Sequence, residues 1–282
     1  KDAERRAMQL TQSYLALSEC NQAVIDSRDE NELFQAISHA IVDHGGMKMA
    51  WIGMVDAATN TLSQVFCYGE GTDYLQGLNI SLDPDLPSSR GPVGTAIREG
   101  RPVWCHDFAN DPMNAPWHER GAMFGWACAA ALPLRRGDRV VGALNIYSGK
   151  IDAFGKDVRS LFLEMAANIS FALDNFDREN ARAKAEIALQ SSRDMLAKVI
   201  NASPQSVFWK DRNSIYLGCN ERFARSAGLA RPEDIVGKTD FDLPRPREDA
   251  ERYIADDAAV MESKQPKLHY TEQLHLPDGG RI

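Results

Sequence analysis

Cysteine is scarce: Cys20, Cys67, Cys105, Cys128 and Cys219 are an odd number in 282 residues, and no two form a C-x-x-C pair. That excludes a disulfide framework and reads as reduced thiols in a cytoplasmic chain. The six histidines make no H-E-x-x-H motif and take no paired spacing with cysteine, so no zinc site is expected. Positive charge is also short. With 32 Lys and Arg against 40 Asp and Glu, the net charge is -8. A general nucleic-acid or anionic-membrane surface, which works by counterion release from a basic face, is therefore not expected. Long apolar runs are missing too: the longest, WACAAALPL from Trp126 to Leu134, falls well short of the roughly 20 residues of a membrane span. The opening KDAERRAMQLTQ lacks the apolar core of a signal peptide and does not begin with Met, so the sequence reads as a segment of a longer chain.

What is present is an ordinary globular balance, 44% hydrophobic and 26% charged, with length for about two domains. ERRAMQLTQSYLALSECNQAVID has near-helical recurrence of Met8, Leu15 and Ile25. ENELFQAISHAIVDHGG carries a stripe of Leu33, Phe34, Ile37 and Ile41 that ends at Gly45-Gly46. MKMAWIGMVD and TLSQVFCYGE, joined by AATN, predict a hairpin; Leu75 to Arg90 predicts a loop. In GPVGTAIREGRPVWCHDFANDP a helix ends at Gly100. A strand follows with Val103 and Cys105 on one face and Trp104 and His106 on the other, and turns begin at Asp107 and Asp111. WACAAALPLRR and RVVGALNIYSG, joined by Gly137-Asp138, predict a second hairpin.

From Lys156 to about Ala202 no Gly or Pro interrupts a helical pattern. Within it Ile169, Leu173, Phe176, Asn180, Ala183, Ile187 and Gln190 recur at coiled-coil spacing, polar at Asn180 and Gln190. The alternative is a single amphipathic helix packed on its own domain. After Ser203-Pro204 come short strands SVFWKD and IYLGC, helices around Asn220 to Ala227 and Arg247 to Met261, and a final strand LHYTEQLHL before the turn signal PDGGRI.

The run from GPVGTAIREGRPVWCHDFANDP through APWHERGAMFGWACAAALPLRRGDRVVGALNIYSGKIDAFGKDVRSLFLEMA resembles the GAF domain over about Leu15 to Asp177. Its form is that of bacterial multidomain signalling proteins with GGDEF, EAL or histidine-kinase outputs. INASPQSVFWKDRNSIYLGCNERFARSAGLARPEDIVGKTDFDLP, with LPDGGRI at its end, resembles a PAS domain that lacks its last two strands. The resemblance implies an α+β chain: an antiparallel-sheet GAF domain with flanking helices over 1–178, a connecting signalling helix over 179–202, and a PAS α+β domain, incomplete at its C-terminus, over 203–282.

Several chemistries compete for these residues. Cys105-His106, with Asp107 as third member, spells an activated thiol, but neighbours on a strand point to opposite faces. His106-Asp107 alone is not a metal phosphohydrolase signature. Bilin-binding relatives carry Cys-His where Trp117-His118 stands here, so a covalent bilin is not expected. Asn145, Lys150, Phe154 and Asp157 resemble a degenerate Asn-Lys-Phe-Asp-Glu signature of cyclic-nucleotide GAF domains, with Val158 in place of the Glu; the Lys-Asp pair is expected to brace the fold. What remains is a pocket that binds an unidentified small molecule. Trp51, Tyr74, Trp104, Trp117, His118, Met123 and Trp126 are its candidate walls, and Arg90, His106 and Asp107 its polar groups. By the PAS resemblance Trp209, Asn220, Phe223 and Phe241 surround a second cavity. His269 and His275 sit on the last strand, the wrong place for a haem ligand, and Cys219-Asn220-Glu221-Arg222-Phe223 is in the wrong order for a flavin cysteine.

The function implied is a sensory module, itself not catalytic and with no known cofactor, dimeric through its N-terminal and connecting helices. Occupancy of the pocket would be passed through the helical linker to an output domain outside this sequence, with cyclic di-GMP synthesis or degradation as the expected output. The rivals are a cysteine-based redox enzyme of the GAF methionine sulfoxide reductase type, using Cys67, Cys105 and Cys128, and a ligand-free dimerisation scaffold.

Overall fold

The computed structural model describes residues 2–75 and 79–268, and the side chains of Asp2, Ala3, Arg5, Arg6, Tyr74, Asn79, Pro87 and Ser88 lie outside that description. The chain divides into two compact units, residues 1–182 and 183–282.

The first unit is built on a six-stranded sheet of order β3-β2-β1-β6-β5-β4, antiparallel throughout. Its strands are β1 (Met49–Asp56), β2 (Thr61–Gly69), β3 (Asn79–Ser81), β4 (Val103–Cys105), β5 (Cys128–Arg136) and β6 (Arg139–Ser148). Both predicted hairpins form: β1–β2 turns through Ala57–Asn60, and β5–β6 through Gly137-Asp138, where Gly137 takes the φ of +55° that the tight turn needs.

Alternation along the strands splits the core in two. Ala50, Ile52, Leu132, Leu144 and Ile146 face a helical layer. That layer is α1 (Asp2–Asp26), α2 (Glu30–His39) and the first part of α5 (Lys156–Ala202). Met49, Trp51, Ala129, Ala131, Ala143 and Tyr147 face the other way, toward α3 (Pro92–Glu99) and the long connections. A short α4 (His118–Phe124) lies in one of those connections.

The predicted stripe of α2 is buried, with Leu33, Ile37 and Ile41 at 0% exposure. The helix leaves through a π-helical turn, Ala40–His44, where the Gly45 amide donates back to the Ala40 carbonyl. A Cβ on Gly45 would stand 2.4 Å from the Ile41 carbonyl oxygen, which is why glycine occupies this exit.

Three expectations change. On α1 the face turned to the core is Ser13, Ala16, Leu17 and Cys20, while Met8, Leu15 and Ile25 are more than half exposed. Small side chains let the helix approach α2 and the π-helical turn closely, and the large ones are left outside. The segment before Arg90 is not all loop, because β3 pairs with β2 through Leu62 opposite Ile80. On α5, Ile169 and Leu173 are fully buried in the unit's own core and Phe176 packs against it; residues 177–199 are exposed throughout. The first members of the expected coiled-coil seam therefore complete the domain that carries them. Burying each aliphatic side chain contributes about 1.5–3 kcal/mol.

The second unit has a two-stranded sheet, β7 (Phe208–Lys210) and β8 (Tyr216–Cys219), with α6 (Glu221–Ser226) and α7 (Arg247–Ser263). Tyr216, Phe223, Ile235 and Leu243 form its core. The expected final strand and terminal turn, 268–282, fall almost wholly outside the described residues.

Candidate functional site

The sheet face opposite the helical layer carries a straight row of side chains. Cys67, Trp51, Asn145, Ala131 and Val103 are successive cross-strand partners over β2, β1, β6, β5 and β4. The next row places Tyr147 beside Ala129. Because β5 offers only alanines here, space remains above the floor, and the connections that cross it are rich in aromatics. The chain before α3 crosses at Gly91, whose missing Cβ would fall 2.5 Å from the Trp117 ring; at Gly121 a Cβ would meet the Phe108 ring at 2.5 Å. Phe108, Trp126 and Tyr147 form an aromatic cluster, with the last two centroids 4.4 Å apart.

Together these groups enclose a cavity of about 30 Å³, walled by Trp51, Phe108, Trp117, Trp126 and Tyr147 and floored by Ala129–Ala131. Such a volume has room for one or two waters. Its polar groups are few. Asn145 is 1% exposed; its Nδ2 donates to the Ala143 carbonyl at 3.2 Å, and its Oδ1 has no partner. Trp51 is equally buried and its Nε1 also lacks an acceptor. Leaving a buried donor or acceptor unpaired costs about 1–3 kcal/mol each. Asn114 donates from Nδ2 to Cys105 Sγ at 2.8 Å. Among the described residues, no Asp, Glu, Lys, Arg or His lines the cavity.

Of the candidate wall residues, Trp51, Trp117 and Trp126 line the cavity. Trp104 does not: it faces the helical layer, where it lies 5.5 Å from the Phe154 ring with the Arg159 guanidinium 5.2 Å over its own ring. His106 is on the same side and exposed, with Nδ1 3.0 Å from Asp152 Oδ1 and Nε2 against Arg159. Alternation along β4 thus removes Trp104 from the pocket, and the bend after Cys105 takes His106 away as well. Asp107 accepts from Asn110 at 2.8 Å, and the His118 ring is held 3.0 Å from the Asp111 carbonyl; both fix the loop. Arg90 points to solvent and donates to the Pro84 carbonyl, and Met123 is 79% exposed. Tyr74 lies on a single 3-10 turn, Thr72–Leu75, and its side chain is outside the described residues. Sequence reasoning passed over Asn114, Phe108 and Tyr147 and gave Asn145 a different role. The one available signal was an amide standing alone in the apolar strand GALNIYS.

In the second unit a cavity of about 30 Å³ is lined by Phe223, Leu243 and Tyr253 but not by Trp209, Asn220 or Phe241. Asn220 is a helix cap: its Oδ1 accepts from Phe223 N and Val207 N, while Nδ2 donates to the Gln205 and Ile200 carbonyls. Trp209 and Phe241 are about half exposed.

The thiols are neither clustered nor activated. Cys128 faces the helical layer and Cys105 the cavity side; Cys67 and Cys105 lie four strand spacings apart, about 19 Å. Burial pushes Cys105 up to about 12 and Cys128 to about 11, and raises Cys67 as well.

The family model for the GAF domain matches residues 27–174, and the model for the PAS fold matches residues 200–282. No curated protein sequence matches the chain. Among solved structures it is similar to the GAF domain from a phosphoenolpyruvate-protein phosphotransferase of Coxiella burnetii. The two are 11% identical over 61% of this chain and 98% of that one, with a TM-score of 0.50. It is also similar to free methionine-R-sulfoxide reductase from Neisseria meningitidis in complex with its substrate, at 16% identity, 60% and 91% coverage and a TM-score of 0.49. A third is the A. aeolicus nlh2 GAF domain in an inactive state, at 17% identity, 60% and 97% coverage and a TM-score of 0.45. At such identities the likeness is one of fold. With a rolled antiparallel sheet, a cavity on its loop-covered face and a family match over more than half its length, the chain belongs to the GAF domain family, and a PAS fold follows it.

Proposed function

We propose that this chain is the sensory part of a signal-transduction protein: the GAF cavity holds a small ligand, and occupancy biases a dimeric helical arrangement that reports to an output domain. The observation that carries the reading is the aromatic cavity with two buried, unpaired polar groups. A fully packed core would have no use for either group. At its present size the cavity admits a ligand only if Trp117 swings away, and that half-buried ring sits on a connection beside an exposed Pro116.

α5 is the natural carrier, because its first turns complete the GAF core while its later turns offer water-facing apolar side chains, Ile187, Leu189, Met195 and Leu196. α1 runs in the same direction beside α5: Gln9 donates to the Ala153 carbonyl and Asn168 Nδ2 to Asn21 Oδ1. Tyr14 and Leu15 on α1 and Leu163 and Phe171 on α5 are large and exposed, a surface suited to a second copy. Moving such an equilibrium from 1:99 to 99:1 requires about 5.5 kcal/mol of differential ligand affinity.

Cyclic di-GMP synthesis or degradation as the output rests on the sequence resemblance alone, and so does cytoplasmic placement together with the reduced thiols. Among the described residues no helix is long and apolar enough to cross a membrane. The redox-enzyme alternative is disfavoured by thiols that are buried, raised in pKa and spread over both sheet faces.

Native mass spectrometry of the protein as purified tests the proposal. The expected spectrum is a dimer carrying the added mass of a small molecule that is lost on denaturation. A bare monomer at micromolar concentration, unchanged by any metabolite extract, would overturn it.

A further inference from the structure

Trp51 and Asn145 are direct cross-strand partners on β1 and β6, in the middle of the cavity floor. Side chains so placed on one sheet face have Cβ atoms about 4.5–5.5 Å apart. One ends in a lone donor and the other in a lone acceptor. Indole Nε1 can only donate. The Asn145 amide is oriented by the Ala143 carbonyl, which only its NH₂ can satisfy, so Oδ1 is what remains for the cavity. Although complementary and adjacent, the two groups do not pair with each other, and each is 1% exposed.

Resting on the ligand-binding reading above, the geometry points to a specific ligand chemistry: a small, uncharged, planar ring with an adjacent C=O and N–H, a lactam edge. The ligand carbonyl accepts from Trp51 Nε1–H and the ligand N–H donates to Asn145 Oδ1, while one face lies against the Trp126–Tyr147 pair and the other takes the space that Trp117 vacates as it swings away. With Trp117 swung away, the floor of Ala129 and Ala131 leaves a flat slot that suits a ring.

Charge argues the same way. With no Asp, Glu, Lys, Arg or His among the described residues lining the cavity, a phosphate or carboxylate would be desolvated without a counter-charge. A quaternary ammonium would gain from the aromatic walls, but it offers no acceptor for Trp51 Nε1–H. An aromatic hydrocarbon would leave both polar groups unpaired.

The test titrates the full chain with 2-pyridone and uracil, which carry the edge, and with N-methyl-2-pyridone, whose N–H is blocked. Tetramethylammonium and cyclic AMP, whose base has no lactam edge, represent the two charged alternatives. Binding is read by tryptophan fluorescence and calorimetry. The expected result is saturable binding of 2-pyridone or uracil, weakened about tenfold or more by N-methylation, with no response to the charged probes. In Asn145→Leu, and separately in Trp51→Phe, the distinction between 2-pyridone and its N-methyl form should shrink toward unity, provided circular dichroism shows the fold retained.

Equal affinity for 2-pyridone and N-methyl-2-pyridone in the unsubstituted protein overturns the assignment, whatever the variants do. Binding of tetramethylammonium or cyclic AMP alone overturns it as well, yet leaves the cavity a ligand site. Failure of every probe at millimolar concentration overturns both, and leaves a cavity that holds only water.

Discussion

Tyr216 donates its phenolic proton to Asp240 Oδ1 at 2.7 Å, at the centre of a charged cluster in the PAS unit. Lys210 Nζ is 2.6 Å from Asp240 Oδ2 and 2.6 Å from Asp257, and Arg245 reaches Asp240 Oδ1 at 3.1 Å. Asp240 is 0% exposed, so its charge is tolerable only because both cations surround it. Replacing Lys210 by Met removes one cation and the tie from β7 to α7. The PAS unit should lose about 3–5 kcal/mol, seen as an early separate transition in urea denaturation of the full chain. Coincidence of that transition with the unsubstituted one would show the cluster to be ornamental.

The thiols give a labelling pattern and a pH dependence. Burial raises Cys20 and Cys105 to about 12 and Cys128 to about 11, from an ordinary 9.0. At neutral pH a thiol reagent should therefore react first at partly exposed Cys67, and reach these three only on unfolding. A thiol whose pKa is raised by folding stabilises the protein fully below its unfolded value, and that contribution is lost as pH rises through the folded value. Stability to urea should fall between pH 9 and 12, and less so in Cys105→Ala. Rapid labelling of Cys105 at pH 7 would revive the enzyme reading.

Gly91 has φ of −68°, so alanine is allowed by the backbone there, but its Cβ would fall 2.5 Å from the Trp117 ring. Gly91→Ala should displace Trp117 at a cost of about 1–3 kcal/mol. The emission spectrum should shift toward the red as the indole enters water. An unshifted spectrum would mean that the ring does not close the cavity.

Phe171 is 57% exposed on α5, three residues after Asn168, which donates to Asn21 of α1. Phe171→Asp should convert the proposed dimer to monomer in light scattering without loss of helix content, because nothing in the unit's own core rests on that ring. A variant dimer as tight as the parent would place the interface elsewhere.

In α5 the absence of any Gly or Pro over forty-seven residues is a local property, and it alone dictates an unbroken helix. Ile169 shows the limit of that information. Its spacing fits a seam between two helices equally well as a stripe against a sheet, and which partner buries it depends on strands far away in sequence. On α1 the same ambiguity sent the expectation to Met8, Leu15 and Ile25, whereas the contact is made by Ala16 and Cys20, which allow closer approach.

The sequence by itself determined most of the described elements, their order and the hairpin turns, though not β3, since these follow from periodicities and from glycine positions that act within a few residues. It also set the opposition of Cys105 to Trp104, because a strand alternates. Only the tertiary structure decided which side of β4 meets the cavity, and so separated Trp104 from Trp117. It also brought Trp51 opposite Asn145. Cross-strand register is set by the packing of both sheet faces together, and no local run of residues carries that constraint.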